Sequence, residues 1–482
     1  MSGKSLKLNV IVSLLRSFTT VIFPLVTFPY SSRVLGPEGN GKLNFATSFV
    51  GYFVIIAAVG IPMYGIRAIA QARSDKNRLS NTAQELFVLH LGASILIYLT
   101  FLVVMLFNSK LQEERILFYV TSSTIVFACM SLDWFYQGME EYVYITIRGM
   151  ALNVVGLVGL LLLVKQPDDY VVYAAITVLA TVGSSVFNLF NARHQIFVRR
   201  TEPWNLLRHI KPMLFGYLLA LIVASYSRLD TVLLGFLATA TSVGYYTAAL
   251  KITRMVLNIV NTFGGVLLPR LSYYISNNLH QEFDRMLKKS LGLVFFLCIP
   301  LVTGLVLLAP EAMLVFAGAQ YGPATTAAIV TAPLILISGL STVFGLQILY
   351  PLGKDWMVVV SAAVGAIICF LLSVLLIPRF HHLGSAIAIT IAEFCVTATQ
   401  FVMVSRVYKV RWPLGSMAKI LVATAAMASV IVTGKFAVGI PWVRLASLAP
   451  LGGAAYLGVL YVLKEDFFLE VLLIVKKRLK LA

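Results

Sequence analysis

Apolar residues fill the chain in long blocks, separated by short connections that carry most of the charge. A hydrocarbon core of ~30 Å takes about 20 helical residues to cross. On that ruler about fourteen blocks qualify: 8–30, 43–66, 85–107, 115–137, 143–164, 170–192, 212–236, 245–268, 289–316, 324–350, 356–378, 384–406, 413–434 and 443–463. No connection is large enough to fold as a soluble domain. The first block follows Lys4 and Lys7 as a signal peptide would. It is too long for one, contains Arg16 and lacks a small-residue cleavage site, so it is expected to stay as the first span.

Composition agrees with the pattern. The 482 residues are 59% hydrophobic and 12% charged, against about 25% charged in soluble domains, so the chain reads as an all-α integral membrane protein. The net charge of +18 would suggest nucleic acid in a soluble protein. No basic stretch here is interleaved with exposed aromatics as a nucleic-acid groove requires, so no nucleic-acid partner is expected. Cys129, Cys298, Cys369 and Cys395 all fall in apolar blocks without metal or redox spacing and read as small buried apolar residues.

The basic residues are distributed unequally. With the amino terminus inside, about 23 Lys and Arg fall in connections on that side and 8 on the other, which predicts both termini cytoplasmic. The basic connection 193–211 follows the sixth block and suggests lobes 1–203 and 204–412, with 413–482 adding two spans and a basic tail. A short echo supports the division: Leu35-Gly36, Gly41 and Phe45-Ala46 resemble Leu234-Gly235, Gly244 and Thr247-Ala248, as two halves of one topology would. The segment 465–482 mixes Phe467, Phe468 and Leu472 with Lys476, Lys477 and Arg478, as an interfacial helix or a plain basic tail would.

Seven cations lie inside the blocks: Arg16, Arg148, Arg228, Lys251, Arg254, Arg270 and Lys419. Each costs roughly 2.5–3.5 kcal/mol at mid-bilayer, so a wet cavity between helices is their cheapest location, and a cationic cavity attracts an anion. Arg16, Arg228, Lys251 and Arg254 lie deepest. Lys251 and Arg254 share a helix face, whereas Arg228 and Asp230 cannot. The group is either an ion-paired patch locking two helices or a net-positive ligand surface. Arginine suits phosphate through its planar donor fork. Asp133 and Arg148 lie at similar depth and form either an ion pair or a gate; Glu393 is either a proton-exchanging group or one held protonated and satisfied by Gln400 or a backbone carbonyl. Pro24, Pro29, Pro62, Pro269, Pro300 and Pro310, with Gly264 and Gly265, read either as bends for alternating access or as residues common in membrane helices, and Trp134, Phe135 and Tyr136 fit an interfacial aromatic belt more simply than a sugar platform.

Several motifs resemble a known family. The run Phe23–Gly41 (FPLVTFPYSSRVLGPEGNG) and the run Leu132–Glu140 (LDWFYQGME) are similar to bacterial O-antigen-type polysaccharide flippases, as are Asp168-Asp169-Tyr170 and Leu349–Lys354. The resemblance spans essentially the whole chain. It implies a fold shared with multidrug exporters of the MATE type and lipid II flippases: two pseudo-symmetric six-helix lobes around a central cavity, plus two extra carboxy-terminal helices. It also implies a bacterial inner-membrane flippase, not an enzyme, that moves an undecaprenyl-diphosphate-linked oligosaccharide outward by alternating access. No cofactor is expected beyond proton or cation coupling. Expected partners are membrane lipids, a polysaccharide polymerase and a chain-length regulator. The substrate-binding residues implied are Arg16, Arg33, Arg228, Lys251 and Arg254, with Asp133, Arg148, Asp230 and Glu393 in gating or ion coupling. A multidrug cation antiporter would call for an acidic or neutral aromatic cavity. A membrane-embedded polymerase or glycosyltransferase would need a sizeable outer loop, and a passive scaffold would leave the arginines unexplained.

Overall fold

The computed structural model describes residues 6–196, 200, 202–470 and 472; within these, side chains at 6–22, 215–216, 218–220, 222–227, 259 and 261–266 lie outside the description. Every regular element among the described residues is a helix. The chain divides into two compact units, Met1–Gly244 and Tyr245–Ala482.

The first unit contains α1 (Leu6–Ala57), α2 (Ile61–Ala72), α3 (Lys76–Phe107), α4 (Ser109–Glu113), α5 (Arg115–Phe127), α6 (Asp133–Gly138), α7 (Tyr142–Leu163), α8 (Tyr170–Ile196), α9 (Leu207–Leu237) and the start of α10 (Ala240–Ser276). A straight helix of 52 residues would run about 78 Å, more than twice the hydrocarbon thickness. Instead α1 breaks at Gly36 (φ 65°, ψ −176°), a conformation that glycine adopts without a Cβ clash. Asn40 Nδ2 donates to both the Ser31 and Gly36 carbonyls at 3.0 Å, a contact across nine residues that only a chain reversal permits. The expected first span, 8–30, lies on the first arm of α1, whereas the expected second, 43–66, runs from the second arm over the break after Ala57 into α2.

The expected fourth span is likewise broken. Leu132 takes a left-handed conformation (φ 47°) and turns the short α6 away from α5. This places Trp134, Phe135 and Tyr136, each at most 2% exposed, into a core with Ile61, Ile69, Leu79 and Leu86. The three rings therefore form core rather than an interfacial belt. The turn that reads as a span end carries them inward, and the Tyr136 hydroxyl donates to the Asn188 carbonyl at 2.8 Å.

The second unit continues α10 and adds α11 (His280–Leu307), α12 (Ala309–Phe316), α13 (Ala324–Thr331), α14 (Leu334–Thr342), a π-helical turn at Val343–Leu349, α15 (Asp355–Val407), α16 (Leu414–Ala437) and α17 (Pro441–Val462). α15 repeats the device of α1: it breaks at His381 (φ 48°, ψ −123°). A Cβ at Gly384 would lie 2.6 Å from the Leu376 carbonyl, eight residues back. Pro62 and Pro310 sit in the first turns of α2 and α12, where the missing N–H costs nothing, so they begin helices instead of bending them. Cys129, Cys298 and Cys369 are buried, Cys395 is half-buried, and all four are free. The carboxy-terminal segment beyond 470 lies almost entirely outside the described residues.

Among the described residues nine helices are long and apolar enough to cross a membrane, or ten if the bent pair Phe23–Ala57 and Ile61–Ala72 counts as one span. The chain is a multi-pass membrane protein; the figure of fourteen rests on the apolar pattern alone.

The two echoing segments meet each other within the first unit. A Cβ on Gly41 would lie 1.7 Å from the Ala240 carbonyl oxygen, and one on Gly244 would lie 1.9 Å from that of Pro37. Pro37–Gly41 and Ala240–Gly244 share a spacing of four, so the contact is reciprocal, and only glycine lets the two backbones touch. Gly244→Ala should therefore cost about 3 kcal/mol, the upper end for overpacking. Gly292→Ala, where a Cβ meets nothing within 4 Å, should be neutral or stabilising by up to about 1 kcal/mol. Thermal unfolding of the two purified variants in detergent checks the contrast.

Candidate functional site

The expected ligand residues fall on both units. On α9, Arg228 is half-buried; its Nη1 donates to the Thr47 carbonyl at 3.4 Å, and the guanidinium covers Gly51, where a Cβ would come within 2.6 Å of Nη1. The absent side chain at Gly51 is what makes room for it. Asp230, one turn-fraction further, is fully buried and accepts from the Thr231 amide at 2.6 Å and hydroxyl at 3.2 Å. Lys251 (half-buried) and Arg254 (exposed) lie on α10 in the second unit. Arg33 is exposed beside the Gly36 reversal and donates to the Pro29 carbonyl at 2.7 Å, closing the end of the first arm of α1. The side chain of Arg16 lies outside the described residues. Glu393 is half-buried on α15, while Gln400, one of its suggested partners, bonds Ser341 and Ser361.

Asp133 and Arg148 do pair. Arg148 Nη2 donates to Asp133 Oδ1 at 3.0 Å, and Asn188 Nδ2 donates to the same oxygen at 3.0 Å and to the Ser131 carbonyl. The guanidinium also lies 5.6 Å from the Tyr144 ring centre. The left-handed Leu132 sets Asp133 at the start of α6, facing the first turns of α7.

Other charge clusters form among the described residues, at positions outside the expected set. Glu85 on α3, 1% exposed, accepts from Arg200 Nη2 at 2.8 Å, Arg208 Nη2 at 2.7 Å, His209 Nε2 at 2.8 Å and the Asn205 amide at 3.0 Å. Arg200 stacks 3.8 Å from the Trp204 ring centre, and the Tyr64 hydroxyl bonds His209 Nδ1 at 2.8 Å. The connection between α8 and α9 is thereby strapped to α3. Sequence reading passed over Glu85, although a lone carboxylate at a span start and a basic connection elsewhere were both visible. In the second unit Glu311 on α12, 3% exposed, joins Lys435 of α16 at 3.0 Å and Arg444 of α17 at 3.5 Å. A third cluster links Lys42 to Glu114 at 2.8 Å and Glu38 at 3.2 Å, with the Tyr170 hydroxyl on Glu114. Nearby, Lys110 of α4 donates to the Phe236 and Ala238 carbonyls at 3.0 and 2.9 Å, capping α9, and its burial lowers the ammonium pKa.

Two cavities matter. One, of about 370 Å³ in the first unit, lies between α1, α7 and α8 and is lined by Thr27, Asp133, Arg148, Tyr173, Thr177 and Thr181 among others. The other, of about 480 Å³ in the second unit, is almost wholly apolar; Val256, Pro300, Leu301, Met427, Ala449 and Gly453 contribute to its wall, from α10, α11, α16 and α17. Among the described residues no group of three or more His, Cys, Asp or Glu could hold a metal ion.

The sequence matches the model of a family described as polysaccharide biosynthesis protein over residues 6–275, more than half its length. The chain belongs to the polysaccharide biosynthesis protein family. A relative from Escherichia coli (strain K12) named "Putative O-antigen transporter" is 24% identical over 410 residues, covering 83% of this chain and 97% of that protein. A Haloferax volcanii protein named "Probable low-salt glycan biosynthesis flippase Agl15" is 22% identical over 232 residues, 47% of this chain and 49% of its own length. Among solved structures, the lipid II flippase MurJ in an inward closed conformation superposes with a TM-score of 0.76 at 16% identity, covering 96% of this chain and 100% of that one. An inward-facing MATE multidrug transporter superposes at 0.62 and 14% identity, covering 82% and 97%. The resemblance seen in the Phe23–Gly41 and Leu132–Glu140 motifs holds. The relatives are named as a transporter and a flippase, and the solved structures that share the fold are of membrane transporters, consistent with a transporter that is not an enzyme.

Removing a buried carboxylate shared by Arg200, Arg208 and the His209 ring leaves the two guanidinium groups uncompensated, which typically costs about 3–5 kcal/mol. Glu85→Ala should destabilise the protein by that order and Glu85→Gln, which keeps the acceptor oxygen, by less. Thermal unfolding in detergent micelles checks both, and equal stability of all three proteins would refute the strap.

Proposed function

We propose that this protein is a flippase that carries an undecaprenyl-diphosphate-linked oligosaccharide from the cytoplasmic to the periplasmic leaflet of a bacterial inner membrane by alternating access. The observation that carries the reading is the set of cations within apolar spans, Arg16, Arg228, Lys251 and Arg254, in a member of the polysaccharide biosynthesis family. A diphosphate entering the membrane loses its water, and arginine forks and an ammonium replace those hydrogen bonds and offset its charge. The names of the relatives, an O-antigen transporter and a glycan flippase, agree with such a cargo.

In this reading the chain works as two six-helix lobes, 1–203 and 204–412, with both termini cytoplasmic and the pair α16–α17 added. The four cations, with Arg33, serve as ligands of the diphosphate. The apolar cavity beside α16 and α17 suits a polyprenyl chain, which needs apolar walls and no polar partners. Outward movement of the anion runs with an inside-negative potential, worth ~2.3 kcal/mol per charge per 100 mV. Asp230 and Glu393 are the sites for proton or cation coupling, and the Asp133–Arg148 pair acts as a gate. The product passes to a polymerase and chain-length regulator.

The test is reconstitution into vesicles with a labelled lipid-linked sugar, scoring leaflet exchange against efflux of a cationic drug. Wild type should exchange the lipid and not the drug. Arg228→Ala, Arg254→Ala and Arg16→Ala should each slow exchange at least about tenfold, a loss of about 1.4 kcal/mol or more, while remaining inserted. Wild-type drug efflux without lipid exchange would favour an antiporter, and full activity in all three variants would remove these cations as diphosphate ligands.

A further inference from the structure

The cavity between α1, α7 and α8 holds polar groups for which the diphosphate reading, which uses only the Asp133–Arg148 pair as a gate, supplies no ligand. Arg148 lines it, and its side chain is 9% exposed. Only Nη2 is engaged, by Asp133; Nε and Nη1 are buried without a hydrogen-bond partner among the described residues. Buried guanidinium N–H groups are costly to leave unmatched, so they call for an acceptor.

Four hydroxyls of the cavity have the opposite capacity. Thr27 donates to the Phe23 carbonyl at 3.0 Å, Thr177 to Tyr173 at 2.6 Å, Thr181 to Thr177 at 2.9 Å and Ser185 to Thr181 at 3.1 Å. Each hydroxyl has thus given its one hydrogen to the backbone four residues earlier, and what it has left is an acceptor oxygen. An anion would meet those lone pairs, and a metal cation would meet the guanidinium. The molecule that suits both is neutral and carries groups that donate and accept at once, which is the character of a polyol.

On these grounds, and resting on the flippase reading above, we infer that this cavity is a glycan subsite, taking one neutral glycosyl unit of the lipid-linked substrate. The planar Arg148 and Asp133 groups bridge adjacent sugar hydroxyls, the threonine oxygens accept from others, and the Tyr173 ring supplies an apolar wall for the C–H face. The volume of about 370 Å³ falls at the lower end of the roughly 300–1,000 Å³ of small-molecule sites. It is separate in chemistry from the cations assigned to the diphosphate: one site reads charge, the other hydroxyl groups.

The experiment uses the full chain in phospholipid vesicles with two probes, a polyprenyl diphosphate bearing one N-acetylated hexosamine and the same diphosphate without sugar. The quantity read is the ratio of their exchange rates. Thr177→Val with Thr181→Val removes acceptors at two exposed, isosteric positions; Arg148→Lys keeps a cation for Asp133 but removes the spare guanidinium donors. The ratio of sugar-bearing to bare lipid should fall about tenfold in both. A ratio unchanged from wild type, including the case where both rates fall together, overturns the glycan subsite and assigns the cavity to water. A wild type that exchanges neither lipid overturns the flippase reading and this one with it.

Discussion

A charge held away from water must find a partner, and in this chain that requirement determines which distant segments lie together. Glu85 draws Arg200, Arg208 and His209 from the far side of more than a hundred residues. Glu311 draws Lys435 and Arg444 and so pins α16 and α17 to α12. Lipid gives helices little hydrophobic reason to associate, because hydrocarbon tails are as apolar as leucine. Ion pairs and small-residue contacts then decide the arrangement, and both units use the same solution: one buried carboxylate shared by cations from a later connection.

The second constraint is the length of the helices. Two runs of more than fifty residues cannot stay straight in a bilayer, and each reverses at one residue with a positive φ, Gly36 in α1 and His381 in α15. At Gly36 the lack of a side chain removes the steric objection. His381 has no such freedom, so its conformation is sustained by the packing around it, including the close approach of Gly384 to the Leu376 carbonyl. The reciprocal contact of Gly41 and Gly244 depends on the same absence of a Cβ.

These features bear on the cargo proposed above. In that reading cations in apolar spans answer a diphosphate, an apolar crevice beside α16 and α17 answers a polyprenyl chain, and a chamber with spare donors and acceptors answers a sugar. A cargo that combines all three chemistries matches the company in which the chain is found: a polysaccharide biosynthesis family and the fold of lipid II flippases and MATE exporters.

Hydropathy alone made the class of this protein legible, because apolar blocks of about 20 residues have one common use. The family was legible too, in two motifs near Gly36 and Asp133 that coincide with chain reversals, where backbone geometry restricts the residues allowed. The same hydropathy could not distinguish a span end from a turn into the core, so Trp134, Phe135 and Tyr136 read as a belt until Leu132 was seen to fold them inward. Nor could it find Glu85, since a carboxylate at the edge of a block looks solvated until the Arg200–His209 connection closes over it. Arg148 carried its charge openly in the sequence. That two of its nitrogens are left over, and that the threonines opposite have spent their hydrogens on the backbone, depends on helix faces meeting, and only the tertiary structure decides that.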